Sequence, residues 1–252
     1  MIIFNADLDN TLIYSCRHDI GEDKICVEIY KGREVSFMTM KSYALLKSIQ
    51  KKMVFVPTTT RTIEQYNRID FGISIPKYAL VCNGGVLLED GRENKDWYIK
   101  SVELVSECLE ELKKAEILLE HDKNRMFEVR NIKGLFIFTK STEPYQSVQI
   151  LKEVLNLSLL DVFYNGVKVY VVPKSLSKGE AVKRFQKYMG ADRIIAAGDS
   201  EFDISMLCEA DIAIAPRELM EKNMVQKNTV CVENETIFSD TILEYLEEWK
   251  RD

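Results

Sequence analysis

Residues 2–11, Ile2-Ile3-Phe4-Asn5-Ala6-Asp7-Leu8-Asp9-Asn10-Thr11, join an apolar run to two carboxylates that stand two positions apart. The apolar run predicts a short buried β-strand from Ile2 to Ala6. Because side chains alternate along a strand, Asp7 and Asp9 are expected on one side of it. Aspartate is rarely buried without a partner, and its oxygens suit a hard divalent cation. We therefore expect a metal at the carboxyl end of this strand, where open α/β sheets bind ligands.

The composition excludes several classes of function. The 252 residues are 46% hydrophobic and 29% charged, with a net charge of −6, which is typical of a globular protein with no general attraction to nucleic acid or to anionic membranes. The chain contains neither a run long enough to span a membrane nor a signal-peptide pattern. We expect a cytoplasmic protein, a monomer or homodimer, without nucleic-acid or membrane partners.

Cysteine and histidine chemistry is not indicated. The six cysteines form no CxxC pair, so neither a zinc knuckle nor a dithiol redox motif is present. The two histidines, His18 and His121, leave little material for a Ser-His-Asp or Cys-His site.

Strands and helices alternate in the first and last parts of the chain. The alternation predicts an α/β fold with a doubly wound, Rossmann-like parallel sheet and helices on both faces. Its predicted strands are Ile2–Ala6, Met53–Val56, Tyr78–Cys82, Arg193–Ala197, Ile212–Ala215 and Thr229–Val232, with helices at 41–51, from Ile63, from Lys178 and up to Trp249.

The middle of the chain has a different pattern. Apolar positions spaced by three and four predict a helix from Ser101 to about Glu120, and strands are predicted at 125–130 and 135–139. A second helix is predicted at 145–155, and Asn165-Gly166 predicts a hairpin. This is an α+β module, so we expect a core domain at residues 1–86 plus 173–252 and an inserted domain at 87–172.

Polar side chains occupy four turns of the predicted parallel domain, and their order along the chain is informative. They are Asp7, Asp9 and Thr11, then Thr59 and Arg61, then Lys178, and then Asp199 and Asp203. This constellation resembles the haloacid dehalogenase-like phosphotransferases, and the inserted module is similar to the type IIB cap of Cof-like sugar-phosphate phosphatases. Asn83-Gly84-Gly85 is similar to a turn common in that family.

The resemblance implies a Mg²⁺-dependent phosphatase that acts on a small phosphorylated metabolite, in particular a sugar phosphate. Asp7 would be the nucleophile that forms an aspartyl-phosphate, and Asp9 the general acid and base. Asp7, the main-chain carbonyl of Asp9, and Asp199 would hold Mg²⁺. Thr59 and Lys178 would stabilise the charge on the phosphoryl oxygens.

The remaining site residues follow from the same resemblance. Which hydroxyl of Thr58, Thr59 and Thr60 points inward stays open, and Arg61 binds either substrate phosphate or an exposed carboxylate. The expected substrate-binding residues are Thr11, Thr60, Arg61, Asn83 and Gly84, and the expected supporting residues are Ser200 and Asp203.

The sequence departs from the family pattern in two places. Phe202 stands where the fourth motif usually has asparagine. A predicted hairpin, Ile25 to Met38, lies where related enzymes have a flap beside the active site. It is expected either to cover part of the site or an oligomer interface, with Arg17, His18 or Arg33 meeting an anionic substrate, or to have no role in chemistry.

Two other functions are compatible with these motifs. A phosphohexomutase of the same architecture would retain the phosphoryl group instead of losing it to water. A catalytically silent member that binds a phosphorylated ligand or a protein would be consistent with Phe202.

Overall fold

The structure, a computed structural model, describes residues 1–72, 75–223, 228–233 and 236–249. The strands are β1 (Ile2–Ala6), β2 (Tyr14–Ser15), β3 (Lys24–Tyr30), β4 (Arg33–Thr39), β5 (Val54–Pro57), β6 (Tyr78–Val81), β7 (Val86–Glu89), β8 (Arg92–Glu93), β9 (Arg130–Ile132), β10 (Phe136–Lys140), β11 (Leu160–Asn165), β12 (Lys168–Pro173), β13 (Arg193–Ala197), β14 (Ile212–Pro216) and β15 (Thr229–Val232). The α-helices are α1 (Met40–Lys52), α2 (Ile63–Tyr66), α3 (Lys95–Val105), α4 (Leu109–Glu120), α5 (Pro144–Val154), α6 (Lys178–Met189), α7 (Ile204–Glu209), α8 (Arg217–Asn223) and α9 (Phe238–Glu248). Among the described residues, no helix combines the length and the apolarity that crossing a bilayer requires.

The chain forms two compact units, residues 1–94 with 178–252 and residues 95–177. A parallel sheet in the order β15-β14-β13-β1-β5 forms the centre of the first unit. β1 lies between β13 and β5, with Ala6 opposite both Ala197 and Pro57. All five residues of β1 are buried, as expected of a strand covered on both faces. The predicted parallel sheet is confirmed, and the loops that follow β1, β5 and β13 meet at one edge of it.

The prediction that Tyr78–Cys82 belongs to this sheet is wrong. β6 pairs antiparallel with β7 in a separate sheet, β6-β7-β8, and an isolated parallel bridge between Thr58 and Leu80 links it to the segment after β5. Cys82, Asn83 and Gly84 all have positive φ. This left-handed turn folds β7 back onto β6, so β6 finds its ladder partner locally.

The second unit contains an antiparallel sheet in the order β11-β12-β10-β9. α4 and α5 pack on it around a core that includes Leu112, Leu151, Ile137 and Val171. The hairpin predicted at Asn165-Gly166 is confirmed, because β11 and β12 pair on either side of this turn.

Two predicted elements of the second unit differ from the structure. The helix predicted from Ser101 to Glu120 is divided into α3 and α4 by a 3₁₀ turn at Ser106–Cys108, where the Ser106 hydroxyl donates to the carbonyl of Glu103 at 2.7 Å. Such local bonding competes with the helical ladder. The strand predicted at 125–130 forms only from Arg130 to Ile132.

The two compact units are residues 1–94 with 178–252, and residues 95–177. The sequence placed the insertion at 87–172. The first boundary lies later because β7 and β8 pair with each other beside β6. The second lies later because β12 pairs through to Pro173 with Leu160 of β11.

The hairpin predicted at Ile25 to Met38 forms as β3 and β4 and belongs to the first unit. β2 joins it in a sheet of order β2-β4-β3.

Candidate active site

The two carboxylates after β1 lie in different environments. The Asp7 amide donates to the carbonyl of Ala197 at 2.9 Å, and the Asp7 side chain is buried. The chain then turns, because the carbonyl of Leu8 accepts from three following amides and Asn10 adopts a left-handed φ of 60°, a conformation that asparagine tolerates. The Asp9 side chain is 52% exposed. One aspartate is therefore shielded from water and the other is in contact with it.

Lys178 joins Asp7 to the loop after β13. Its Nζ donates to Oδ1 of Asp7 at 2.5 Å and to Oδ1 of Asp203 at 2.6 Å, with 1% of the lysine side chain exposed. Oδ2 of Asp203 accepts from both the amide and the hydroxyl of Ser200. A Cβ at Gly198 would lie 2.3 Å from the Cβ of Asp203, so glycine is required there. The two carboxylates raise the pKa of Lys178 although burial opposes this.

Asp199 completes a group of three carboxylates. Asp7, Asp199 and Asp203 offer oxygens that lie within 4.8 Å of one another, and Oδ1 of Asp199 accepts from the hydroxyl of Thr11 at 2.8 Å. Burial and neighbouring carboxylates raise the pKa of Asp7 well above its usual range, against the attraction of Lys178. Burial, followed by the charge of Asp203, raises the pKa of Asp199 to about 6.

The charge and donor chemistry of this group fit a divalent metal. Lys178 forms ion pairs with Asp7 and Asp203, and one ammonium balances only one of the three negative charges that this group carries when fully ionised. The side-chain donors of Asp7 and Asp199 are oxygens, which favours Mg²⁺ over softer ions.

The loop after β5 resolves which threonine can face a ligand. The Thr58 hydroxyl accepts from the side-chain amide (Nδ2) of Asn5 at 2.9 Å and donates to the main-chain carbonyl of Val56, so it is turned into the sheet. The Thr59 hydroxyl accepts from the amide of Arg61 at 3.2 Å, which leaves its proton for donation to another group. Thr60 is partly exposed.

The turn after β6 is bonded to the same loop. The Asn83 amide donates to the carbonyl of Thr59 at 3.0 Å, and the Cys82 amide donates to the carbonyl of Arg61 at 2.8 Å. Asn83 and Gly84 therefore lie beside Thr59. Non-glycine residues with positive φ are strained and cluster at functional sites, which agrees with this position.

Arg61 contacts carboxylates, one of the two alternatives left open by the sequence. Its Nε and Nη2 donate to the two oxygens of Asp9, each at 2.8 Å. Its Nη1 donates to Oε2 of Glu28 at 2.9 Å. Burial alone would lower the pKa of Arg61, but the hydrogen bonds and charges of Asp9 and Glu28 raise it.

Glu28 was missed by the sequence reasoning. It lies on β3, its side chain is 3% exposed, and it also forms an ion pair with Nε of Arg68 at 3.0 Å. The signal in the sequence was a glutamate in the middle of the β-forming run Ile25–Tyr30. Of the three residues named from the sequence as possible contacts for an anionic substrate, Arg17 and Arg33 are exposed. His18 lines a cavity of about 350 Å³ together with Asp199.

Comparison with known proteins identifies the family and several proteins that are similar to this chain. The family model of the haloacid dehalogenase-like hydrolases matches residues 92–219, just over half of the chain. Phosphoglycolate phosphatase 2 of Saccharolobus solfataricus is 27% identical over 176 residues, which cover 68% of this chain and 67% of that protein. A phosphoglycolate phosphatase of Sulfurisphaera tokodaii is 26% identical over 174 residues, covering 68% of this chain and 69% of that protein.

A solved structure agrees in fold. The sucrose-phosphatase of Synechocystis sp. PCC6803, solved in complex with sucrose and phosphate, has a TM-score of 0.64 and 16% identity, covering 97% of this chain and 96% of that one. The α/β core with its inserted domain, the resemblance based on the four motifs and the expected phosphatase class are thereby confirmed. This chain belongs to the haloacid dehalogenase-like hydrolases.

Proposed function

We propose that this protein is a Mg²⁺-dependent phosphatase that hydrolyses a small phosphorylated metabolite through an aspartyl-phosphate on Asp7. The observation that carries the proposal is the buried contact of Asp7 with Lys178, inside a group of carboxylates that includes Asp199. Phosphoryl transfer depends on positioning and charge neutralisation more than on elaborate covalent chemistry. This group supplies a nucleophile and a fixed cation at one point.

In the first step, an oxygen of Asp7 attacks phosphorus and the bond from phosphorus to the leaving oxygen breaks. Lys178 and the Thr59 hydroxyl stabilise the charge on the phosphoryl oxygens. Asp7, the carbonyl of Asp9, and Asp199 would hold Mg²⁺, which when bound neutralises part of the repulsion between the carboxylates and the phosphate dianion. The Thr11 hydroxyl orients Asp199 through their hydrogen bond.

Asp9 moves the protons. It donates a proton to the leaving oxygen in the first step and accepts one from the water that hydrolyses the aspartyl-phosphate in the second. The 52% exposure of its side chain supports this role, because the proton acceptor must reach water. Asp203 and Ser200 position Lys178, and Thr60, Asn83 and Gly84 contact the substrate, while the Arg61 guanidinium is bonded to Asp9 and Glu28.

The substrate class is a phosphomonoester of a small metabolite. Two relatives are named phosphoglycolate phosphatases, and the sequence pattern indicates a sugar phosphate. 2-Phosphoglycolate and a panel of sugar phosphates are therefore the first substrates to compare.

The test is phosphate release from an aryl phosphate and from this panel with Mg²⁺. We expect turnover that a chelator abolishes, and a loss on the order of 10³-fold or more in Asp7→Asn. Asp192→Asn is the matched control and should retain activity, because Asp192 is exposed and precedes β13, at the end of the strand opposite to Asp199.

Other outcomes identify other functions. Transfer of the phosphoryl group between hydroxyls with little release would identify a mutase. The absence of turnover across the panel, with binding of phosphorylated ligands retained, would identify a silent binding protein.

A further inference from the structure

Glu28 is a buried carboxylate that the proposed chemistry does not use. It receives a hydrogen bond from the Ser36 hydroxyl at 2.6 Å and one from Nη1 of Arg61 at 2.9 Å, and it pairs with Arg68 at 3.0 Å. A buried carboxylate is costly unless cations and hydrogen bonds compensate for its lost hydration. Here two arginines and a hydroxyl provide this compensation. Glu28 is therefore held in a fixed position by its partners and is not a mobile surface charge.

An irregularity in the hairpin brings Glu28 to this position. The pairing of β3 with β4 shifts on both sides of Glu28, so Val27 is the extra residue of a β-bulge. Val27 and Glu28 are consecutive and both buried, which a regular alternating strand facing water on one side does not produce. Bulges commonly redirect a side chain beside an active site.

The bulged strand is also attached to the segment that follows Arg61. The Asp70 amide donates to the carbonyl of Val27 at 2.8 Å, and an isolated bridge joins Glu28 to Ile69. The Arg68 guanidinium lies 4.4 Å from the centre of the Tyr30 ring. Backbone contacts and side chains therefore fix the hairpin where Glu28 meets Arg61.

Arg61 connects Glu28 to Asp9, because its guanidinium is bonded to both carboxylates. The guanidinium is planar, and it contacts Asp9 through Nε and Nη2 while Nη1 contacts Glu28. Two parallel bonds of this kind fix the plane of a carboxylate, which a single contact does not. A carboxylate offers about four lone-pair positions, so the two bonds from Arg61 are compatible with proton transfer at Asp9.

We infer that Glu28 is a positioning residue, which acts through Arg61 to orient the carboxylate of Asp9 for proton transfer. The inference rests on the proposed function of Asp9 as general acid and base. It gives the β3–β4 hairpin a role in turnover, whether or not the hairpin also covers the substrate. The quantity that depends on this role is kcat, because the orientation of Asp9 affects the reacting state more than the affinity for substrate.

A double-mutant cycle between Glu28→Gln and Arg61→Lys tests the inference. Glutamine keeps the size of Glu28 but removes its charge, and lysine keeps the charge of Arg61 but cannot form two parallel bonds. We expect each single variant to lower kcat on the order of tenfold, with KM of the aryl phosphate within about twofold. In the Arg61→Lys background, Glu28→Gln should lower kcat no further, because its route to Asp9 is already broken.

Controls separate positioning from folding. Glu34→Gln changes an exposed glutamate on the partner strand β4 and should leave kcat unchanged. Denaturation curves for every variant give the folded fraction, since a purely structural role lowers stability but leaves kcat per folded molecule unchanged. If Glu28→Gln does not fold, Glu28→Asp, which keeps the charge and shortens the reach, takes its place in the cycle.

The outcomes distinguish the inference from the function on which it rests. An active wild-type enzyme, an inactive Asp7→Asn variant and an unchanged kcat in Glu28→Gln overturn the inference alone. An equal loss from Glu28→Gln in the wild-type and Arg61→Lys backgrounds also overturns it, because Glu28 would then act independently of Arg61. A wild-type protein without turnover overturns the proposed function, and the inference with it.

Discussion

Two hydrogen-bonded networks built in the same order reach Asp7 and Asp9, the two aspartates that follow β1. Each leads from a serine hydroxyl to an acid, from the acid to a cation and from the cation to an aspartate that the proposed reaction uses. The buried network consists of Ser200, Asp203, Lys178 and Asp7, and the hairpin network consists of Ser36, Glu28, Arg61 and Asp9.

The networks differ in the cation and in the exposure of its partners. Lys178 is a compact charge between carboxylates that are nearly inaccessible to water. Arg61 is a planar group that extends from a buried carboxylate to Asp9, which is 52% exposed. A point charge suits a nucleophile whose product is an anionic phosphoryl group, whereas a planar group suits a carboxylate that must be oriented to exchange protons with water. The difference indicates that one network supplies charge and the other orientation.

Removing the cation of the buried network should have the largest effect. In Lys178→Met, we expect kcat to fall on the order of 10³-fold. In chelator we expect the free energy of unfolding to fall by about 3–5 kcal/mol, because Asp7 and Asp203 lose their shared partner. Phosphate release and urea denaturation measure the two quantities.

Lys183→Met provides the matched control, because Lys183 lies on the same helix, α6, and is exposed. It should change neither quantity appreciably. A Lys178→Met variant with near-normal kcat would contradict the assignment of the buried network to charge stabilisation.

The second prediction concerns the charge balance of the buried network. The pKa of Asp199 is raised to about 6, first by burial and then by Asp203, so between about pH 4 and pH 6 this carboxylate binds more protons in the folded protein than in the unfolded chain. In chelator, this contribution to the free energy of unfolding is largest below about pH 4 and is lost as the pH rises to about 6. We therefore expect Asp199→Asn to raise Tm in chelator at about pH 7.5, where the wild-type carboxylate is ionised.

Added Mg²⁺ should stabilise the wild type more than Asp199→Asn, which is the opposite of the order of Tm expected in chelator. Because protons compete with a metal for carboxylates, the increase in Tm on adding Mg²⁺ should be larger at about pH 7.5 than at pH 5 in the wild type, and small in Asp199→Asn. Glu28→Gln should keep the full increase, since two arginines already balance the acids of the hairpin network. An equal response to Mg²⁺ at both pH values would argue against a metal at Asp199.

The buried network could be predicted from sequence because each of its members stands in a recognisable turn. Asp7 and Asp203 follow buried strands, and parallel strands deliver such turns to one edge of a sheet, whereas Lys178 was predicted from the order of the four motifs in the family resemblance. The hairpin network could not be predicted in this way. Glu28 is turned inward by a bulge, and pattern reasoning that assumes strict alternation does not locate an extra residue.

The fold, like the site, could be predicted only in part. The alternation of apolar strands and amphipathic helices indicated the parallel sheet, whose strands are long enough to show a pattern. The pairing of β6 depended on the left-handed turn at Cys82, Asn83 and Gly84. Two residues of that turn are not glycine, so the sequence only weakly indicates that they adopt a positive φ.

The two serines at the outer ends of the networks give the smallest and most discriminating comparison. The Ser36 hydroxyl donates to Glu28 at 2.6 Å, and the Ser200 hydroxyl donates to Asp203 at 2.9 Å. The Ser200 amide also donates to the same oxygen of Asp203 at 3.0 Å, so Asp203 keeps a donor when this hydroxyl is removed. We expect Ser36→Ala to lower kcat about twofold, equivalent to roughly 0.4 kcal/mol of barrier, and Ser200→Ala to lower it less.

Denaturation should place the loss of stability in Ser36→Ala near 1 kcal/mol. The loss of stability measures the lost hydrogen bond and would occur even if Ser36 had only a structural role. The change in kcat measures the effect on the orientation of Asp9. The two can be separated by repeating Ser36→Ala in the Arg61→Lys background, where the loss of stability should persist and the change in kcat should disappear. If the change in kcat persists there, Ser36 affects turnover by a route other than Arg61, and the hairpin network does not act as one unit.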